Sequence, residues 1–185
     1  MKTTNFKIGM AVVAASFFLA SCNAGNQASN VANNSGDHQM AADSGRSAPA
    51  RTKSEALNAL YPHYLALQEA LVDGQLTKAK EEALLVEEAG KSIEGAENLQ
   101  RAAAQVLSSE SLESQRNAFS PLSEALISLV KSNGVAVGEF YVAHCPMAFN
   151  DKGARWLSAS KDIKNPYFGD KMLTCGSLEE TLSKH

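Results

Sequence analysis

Two short stretches of this chain hold the residues best suited to chemistry: His144-Cys-Pro-Met147 and Met172-Leu-Thr-Cys-Gly176. Together they bring one His, two Met and two Cys; the only other Cys is Cys22. Thiolate and thioether sulfur suit Cu(I) better than hard cations, so the composition points to a copper site. Pro146 biases Cys145 toward extended backbone, and residues two apart in a strand share a face, so Cys145 and Met147 are expected to point together. Met172 and Cys175, three apart, share one face of a helical turn. Two sulfur pairs can then converge. His144 is the weaker member of the set, because it faces the opposite side of a strand unless the chain turns sharply there. Zinc would prefer Cys and His and leave both Met without a role.

The same residues admit plainer readings. A disulfide between Cys145 and Cys175 is the usual fate of a thiol pair in an oxidising compartment, and closing a loop of this length would stabilise the fold by about 3 kcal/mol. Two unrelated buried thiols, with both Met as ordinary core, also fit. Cys spacing alone does not choose between these.

The elements that must position these residues are mostly helical. Leu57, Leu60, Tyr64, Leu67 and Leu71 recur every three or four residues and draw an apolar stripe down one helix, which Gly74 ends. Pro62 interrupts that stripe, so the main segment is expected to begin there. A second helix opens at Thr77 with Ala79, Ala83, Val86 and Ile93 on one side, and Glu81, Glu82, Glu87 and Glu88 are expected on a solvated face. A third spans Ala96 to Leu107. The fourth runs from Ser111 to Ser132 on Leu112, Phe119, Leu122, Leu126 and Leu129, with Pro121 expected to kink or restart it. His63 is read as a surface residue. Four helices with short connections predict a mainly α fold, an antiparallel four-helix bundle over residues 54–134.

After Gly134 the pattern changes. Val135 to Ala143 is apolar and β-leaning. Phe140, Tyr141, Phe149, Trp156, Tyr167 and Phe168 are half of the chain's aromatic residues, which predicts an irregular, aromatic-rich C-terminal cap over residues 135–185 that carries the Cys and Met. Trp156-Leu157 is expected to begin a helical turn, Gly153 and Gly169 to occupy turns of positive φ, and Asn165-Pro166 to start a turn.

Residues 1–21 join a Lys-bearing start to an apolar run, Ile8 to Ala20, and small residues, the pattern of a secretory signal. That run is too short for a membrane span. Leu19-Ala-Ser-Cys22 resembles a bacterial lipobox, which implies cleavage before Cys22, acylation of its thiol and a lasting membrane anchor. Asn23 offers no acidic retention signal, so the outer membrane, facing the periplasm, is the expected address. Residues 22–53 are rich in Asn, Ser, Gly and Ala, too polar to fold alone, and read as a flexible linker. His38 and Met40 within it are read as incidental. The net charge of −3 carries no basic stripe of the kind nucleic acid requires. No phosphate loop, Cys-x-x-Cys pair, zinc-hydrolase His pair or Ser-His-Asp signature is present, so an enzyme is not expected.

The order and spacing of His144-Cys-Pro-Met147, Lys152-Gly-Ala154, Trp156-Leu157, Ile163-Lys-Asn-Pro-Tyr-Phe-Gly169 and Met172-Leu-Thr-Cys-Gly176 resemble the signature of an uncharacterised helical domain family. Its members occur as small envelope lipoproteins and at the C-terminal ends of periplasmic adaptor subunits of copper- and silver-type heavy-metal efflux pumps. The resemblance runs from about Leu57 to Leu182. It implies a periplasm-facing lipoprotein that binds Cu(I) or Ag(I), with Cys145, Met147, Met172, Cys175 and His144 as ligands and an efflux adaptor or pump as partner.

Overall fold

A computed structural model describes residues 49–184. The signal, Cys22, most of the linker with His38 and Met40, and His185 lie outside the described residues. About 55% of the structure is helical, with five helices and two small antiparallel sheets. The order is β1 (Arg51–Thr52), α1 (Glu55–Val72), α2 (Leu76–Gly90), α3 (Glu97–Ser108), α4 (Leu112–Asn133), β2 (Val135–Val137), β3 (Glu139–Cys145), the single turn α5 (Ala148–Asp151), β4 (Ala154–Ser158) and β5 (Ser177–Ser183). A 3-10 turn, Gly169–Met172, lies between the last two strands.

Each helix forms where its apolar stripe lies. Ser54 caps α1 by accepting from the Leu57 amide, which satisfies one of the orphan donors of the first turn. The Asn58 side chain clasps Thr52 from both sides, accepting from its amide at 2.7 Å and donating to its carbonyl at 3.0 Å. Leu57, Leu60, Tyr64, Leu67 and Leu71 are all buried. On α4, Ser111 and Ser114 form a reciprocal capping box, and Gly134, at φ 75°, closes the helix with a bond to the Val130 carbonyl. Consecutive helices pack against one another from α1 to α4.

Four expectations are corrected by these elements. Neither Pro62 nor Pro121 starts or restarts a helix; both lie inside continuous ones. Each is exposed, so the carbonyl left without its amide partner is on the solvent side, while Leu60, Tyr61 and Tyr64 around the first, and Phe119 and Leu122 around the second, hold both halves in the core. Glu82 is not on a solvated face. Its carboxylate is buried, held by Lys78 at 2.6 Å and by His63 Nδ1 at 3.2 Å; the Lys78 hydrogen bond, offset in part by burial, draws its pKa below the usual carboxylate value. The last linker residues, Arg51 and Thr52, are part of the fold, because β1 pairs antiparallel with β2. The segment after Gly134 is not irregular throughout, because β3, β4 and β5 form a three-stranded antiparallel sheet in the order β4-β3-β5 while β2 pairs with β1.

β3 is the central strand of that sheet. Its Phe140, Tyr141, Val142, Ala143 and Cys145 are buried with little alternation, as befits a strand covered on both faces. Trp156 and Leu157, expected in a helical turn, pair with Ala143 and Val142 in β4. Two α1 side chains fasten β4 to the helices. Tyr64 Oη accepts from the Leu157 amide at 3.0 Å and lies 2.8 Å from Ser123 Oγ of α4. With its amide set to satisfy both ends, Gln68 donates to the Leu157 carbonyl at 3.1 Å and accepts from Trp156 Nε1 at 3.2 Å.

Candidate functional site

Cys145 ends β3, opposite Ala154 of β4, and is fully buried. Cys175 lies two residues before β5 and is half-buried. Because β5 pairs with β3 as far as Ser177 opposite His144, the segment leading into β5 lies beside the end of β3. The two sulfurs are 3.2 Å apart and unbonded. The hydrogen bond from Cys145, with burial adding to it, pushes the Cys175 thiol above its ordinary pKa. The Cys175 thiol is therefore protonated in neutral solution.

Gly176 makes this approach possible. A Cβ there would fall 2.8 Å from the His144 carbonyl oxygen and 3.1 Å from the Trp156 ring, and its φ is 136°. Only glycine takes that backbone readily. The loop bearing Cys175 is carried by Tyr167, which is buried against Phe119, Phe149 and Trp156 at centroid distances of 5.3–6.0 Å and donates from its hydroxyl to the Arg155 carbonyl at 2.5 Å. Farther along, Gly169, at φ 61°, would place a Cβ 2.6 Å from both Arg116 Nη2 and the Val72 carbonyl. Arg116 itself donates to the Leu71 carbonyl at the end of α1.

The remaining sequence-predicted ligands are placed differently. β3 stops at Cys145, and Met147 has helical backbone (φ −86°, ψ −7°), so Cys145 and Met147 do not share one face of a strand. Met147 is 47% exposed. The chain beyond it turns through left-handed Phe149, Asn150 and Asp151 at φ 55–62°, a conformation that costs about 1–2 kcal/mol per non-glycine residue. Met172 lies one turn before Cys175, with its carbonyl accepting from the Cys175 amide at 3.0 Å. The His144 ring lies against Gly153, whose added Cβ would meet Nε2 at 2.5 Å. The sulfurs brought together are those of Cys145 and Cys175. Among the described residues no group of three or more His, Cys, Asp or Glu is arranged to hold a metal, so a soft ion here would depend on the dithiol and on thioether sulfur. No described helix is long and apolar enough to cross a membrane.

Sequence reasoning passed over Gly176, the Tyr167 anchor and the full role of Asn165, whose side chain binds the Cys175 carbonyl. The Asn-Pro signal announced a turn and nothing more.

Residues 60–138 match a family described as "Protein of unknown function (DUF3347)". That stretch runs from the first turns of α1 to the residue before β3, so Cys145 and Cys175 lie beyond it. No curated protein matches the chain, and no solved structure does.

Proposed function

We propose that this chain is a lipid-anchored envelope protein that binds Cu(I) or Ag(I) as cargo through Cys145 and Cys175, in metal handling or efflux. The observation that supports it is the 3.2 Å approach of two free thiols. Soft monovalent ions favour thiolates, and one thiol is fully buried while the other is half-exposed, which gives an ion a way in from the Cys175 side. Met147 and Met172 are in this reading the weaker, thioether donors, and His144, against Gly153, is the least favoured ligand. In this reading α1–α4 form an antiparallel four-helix bundle and residues 135–185 an aromatic-rich cap that carries the site. The resemblance described above extends the proposal to a heavy-metal efflux adaptor or pump as partner. It makes the protein a carrier or buffer, not an enzyme.

The deciding measurement is competition. The reduced protein is expected to take one Cu(I) from a chelator, Cys145→Ser and Cys175→Ser each to lose that ability, and Met147→Leu and Met172→Leu to weaken it less. Both thiols must shed protons to bind, so affinity is expected to rise with pH up to the raised pKa of Cys175. A reduced wild type that yields its copper even to a weak competitor ends the metal reading. The same thiol contact supports a second reading, a Cys145–Cys175 disulfide that staples an interaction module without metal. A disulfide needs the sulfurs at about 2.05 Å, a short closure from the observed distance. That reading predicts no free thiol in protein taken from the periplasm, and a melting temperature that falls on reduction and that copper does not restore.

The anchor is tested separately. If Cys22 is acylated, the mature protein partitions into detergent with the membranes, and Cys22→Ser leaves it soluble or unprocessed. Equal partitioning of the two removes the anchor from the proposal.

A further inference from the structure

We infer that Asn165 is a positioning residue for the thiol pair, a latch that closes the 165–175 loop and so fixes where Cys175 meets Cys145. The inference rests on the dithiol reading of the site and adds what holds that dithiol in register. Asn165 is 0% exposed, and all four of its hydrogen-bonding groups are used inside the loop. Its amide donates to the Leu173 carbonyl at 2.8 Å, and its carbonyl accepts from the Gly169 amide at 3.0 Å. Its Oδ1 accepts from the amides of Tyr167 at 2.8 Å and Phe168 at 3.3 Å. Its Nδ2 donates to the Cys175 carbonyl at 2.8 Å.

The two thiols differ in what holds them. Cys145 is paired with Ala154 and needs no further support. Cys175 precedes the first residue of β5, and the bonds from Asn165 reach the carbonyls on either side of Thr174. Oδ1 shapes the turn at the start of the loop while Nδ2 ties down its end, so one amide couples the two ends of a ten-residue excursion. A buried polar group bonded through each of its polar atoms rigidifies its surroundings. The rigidity is transmitted to the Cys175 backbone one bond from the residue's own Cα, and from there to the thiol. Loosening the latch leaves both thiols in place but lowers the chance of finding them together.

The test uses the chain with Cys22→Ser, so that Cys145 and Cys175 are its only thiols, equilibrated with glutathione. Protein dithiol and oxidised glutathione exchange to give the Cys145–Cys175 disulfide and two molecules of reduced glutathione; one S–S bond breaks, one forms, and the two thiol protons end on glutathione. No metal takes part, so the result stands whether or not the protein binds copper. Asn165→Asp keeps the acceptor for Tyr167 and Phe168 and removes the donor to Cys175. At about pH 8 it is expected to lower the exchange constant about 10-fold, a potential about 30 mV less reducing. Towards pH 5 and below, as the Asp protonates and can again donate to the Cys175 carbonyl, the constant is expected to return toward wild type. Asn165→Ser, too short to reach Cys175, is expected to show the loss without the recovery. Ser54→Ala, which removes the cap of α1 away from the thiol loop, is expected to lower the melting temperature and leave the constant unchanged. Wild-type constants in both Asn165 variants at the higher pH, or an equal fall in Ser54→Ala, overturn the inference.

Discussion

Gly176→Ala is expected to destabilise the fold by about 3 kcal/mol and to separate the two thiols. Two costs combine. A φ of 136° lies in backbone that non-glycine residues avoid, a strain of about 1–3 kcal/mol. The added Cβ would also fall 2.8 Å from the His144 carbonyl oxygen, an unyielding backbone atom of the central strand. Gly95→Ala separates the terms, because Gly95 has φ 77° but nothing within 4 Å of the added Cβ. It is expected to cost only about 1–2 kcal/mol, for the left-handed backbone alone. Denaturant melts of the two variants measure the difference, and a thiol reagent in the native state reports the site: Cys145 and Cys175 react faster in Gly176→Ala and at the wild-type rate in Gly95→Ala. Equal melts for both would mean that the close approach to His144 contributes nothing.

Tyr64→Phe is expected to cost about 2–3 kcal/mol, while Tyr61→Phe, one helical turn earlier on the same face, is neutral or slightly stabilising. Both rings are buried, but their hydroxyls have different surroundings. Tyr64 accepts from the Leu157 amide and has its own proton free for Ser123. Removing it leaves a buried amide unsatisfied, at about 1–3 kcal/mol, and frees Ser123 as well. Tyr61 Oη has no hydrogen-bond partner among the described residues, so deleting it removes a desolvated group that contributes nothing in return. At about 3–5 °C per kcal/mol for a domain of this size, Tyr64→Phe lowers the melting temperature by roughly 6–15 °C. A loss of less than half a kcal/mol in Tyr64→Phe would show that the Tyr64 hydroxyl contributes little to holding β4, leaving that to Gln68, the pairing with β3 and packing.

The contrast between these two tyrosines also shows how far the sequence could be read. The i, i+3, i+4 stripes located α1 to α4 within a few residues, because helix periodicity is a local signal. The prolines misled for the same reason: their effect depends on which side of the helix they face, and Pro62 and Pro121 face water. β4 and β5 were not legible. Ala154-Arg-Trp-Leu-Ser is too short to show a period, and Ser177-Leu-Glu-Glu-Thr-Leu-Ser becomes a strand only through its pairing with β3. Glu82 and His63 looked like surface charge because their partnership crosses from α2 to α1. At the site, the meeting of Cys145 with Cys175 was anticipated as one of several outcomes. The turn at Met147 was not, although Pro146, which has no amide to give to a ladder, stands directly after the last residue of β3.

The strand order β4-β3-β5 has a consequence for assembly. β3 pairs with β4, its neighbour in sequence, through a connection of only eight residues, and with β5 only after a further excursion of eighteen residues. Short-range pairing forms faster than long-range pairing, so β3 is expected to meet β4 before β5, and until β5 arrives one side of β3 would be open. Cys145 lies at the end of that side. Its thiol would then be open to mixed disulfides and stray metal, and the unpaired strand could recruit a second chain. Closure by β5 buries the backbone edge and completes the dithiol in one step, so a correctly placed Cys175 also certifies that the sheet has finished folding.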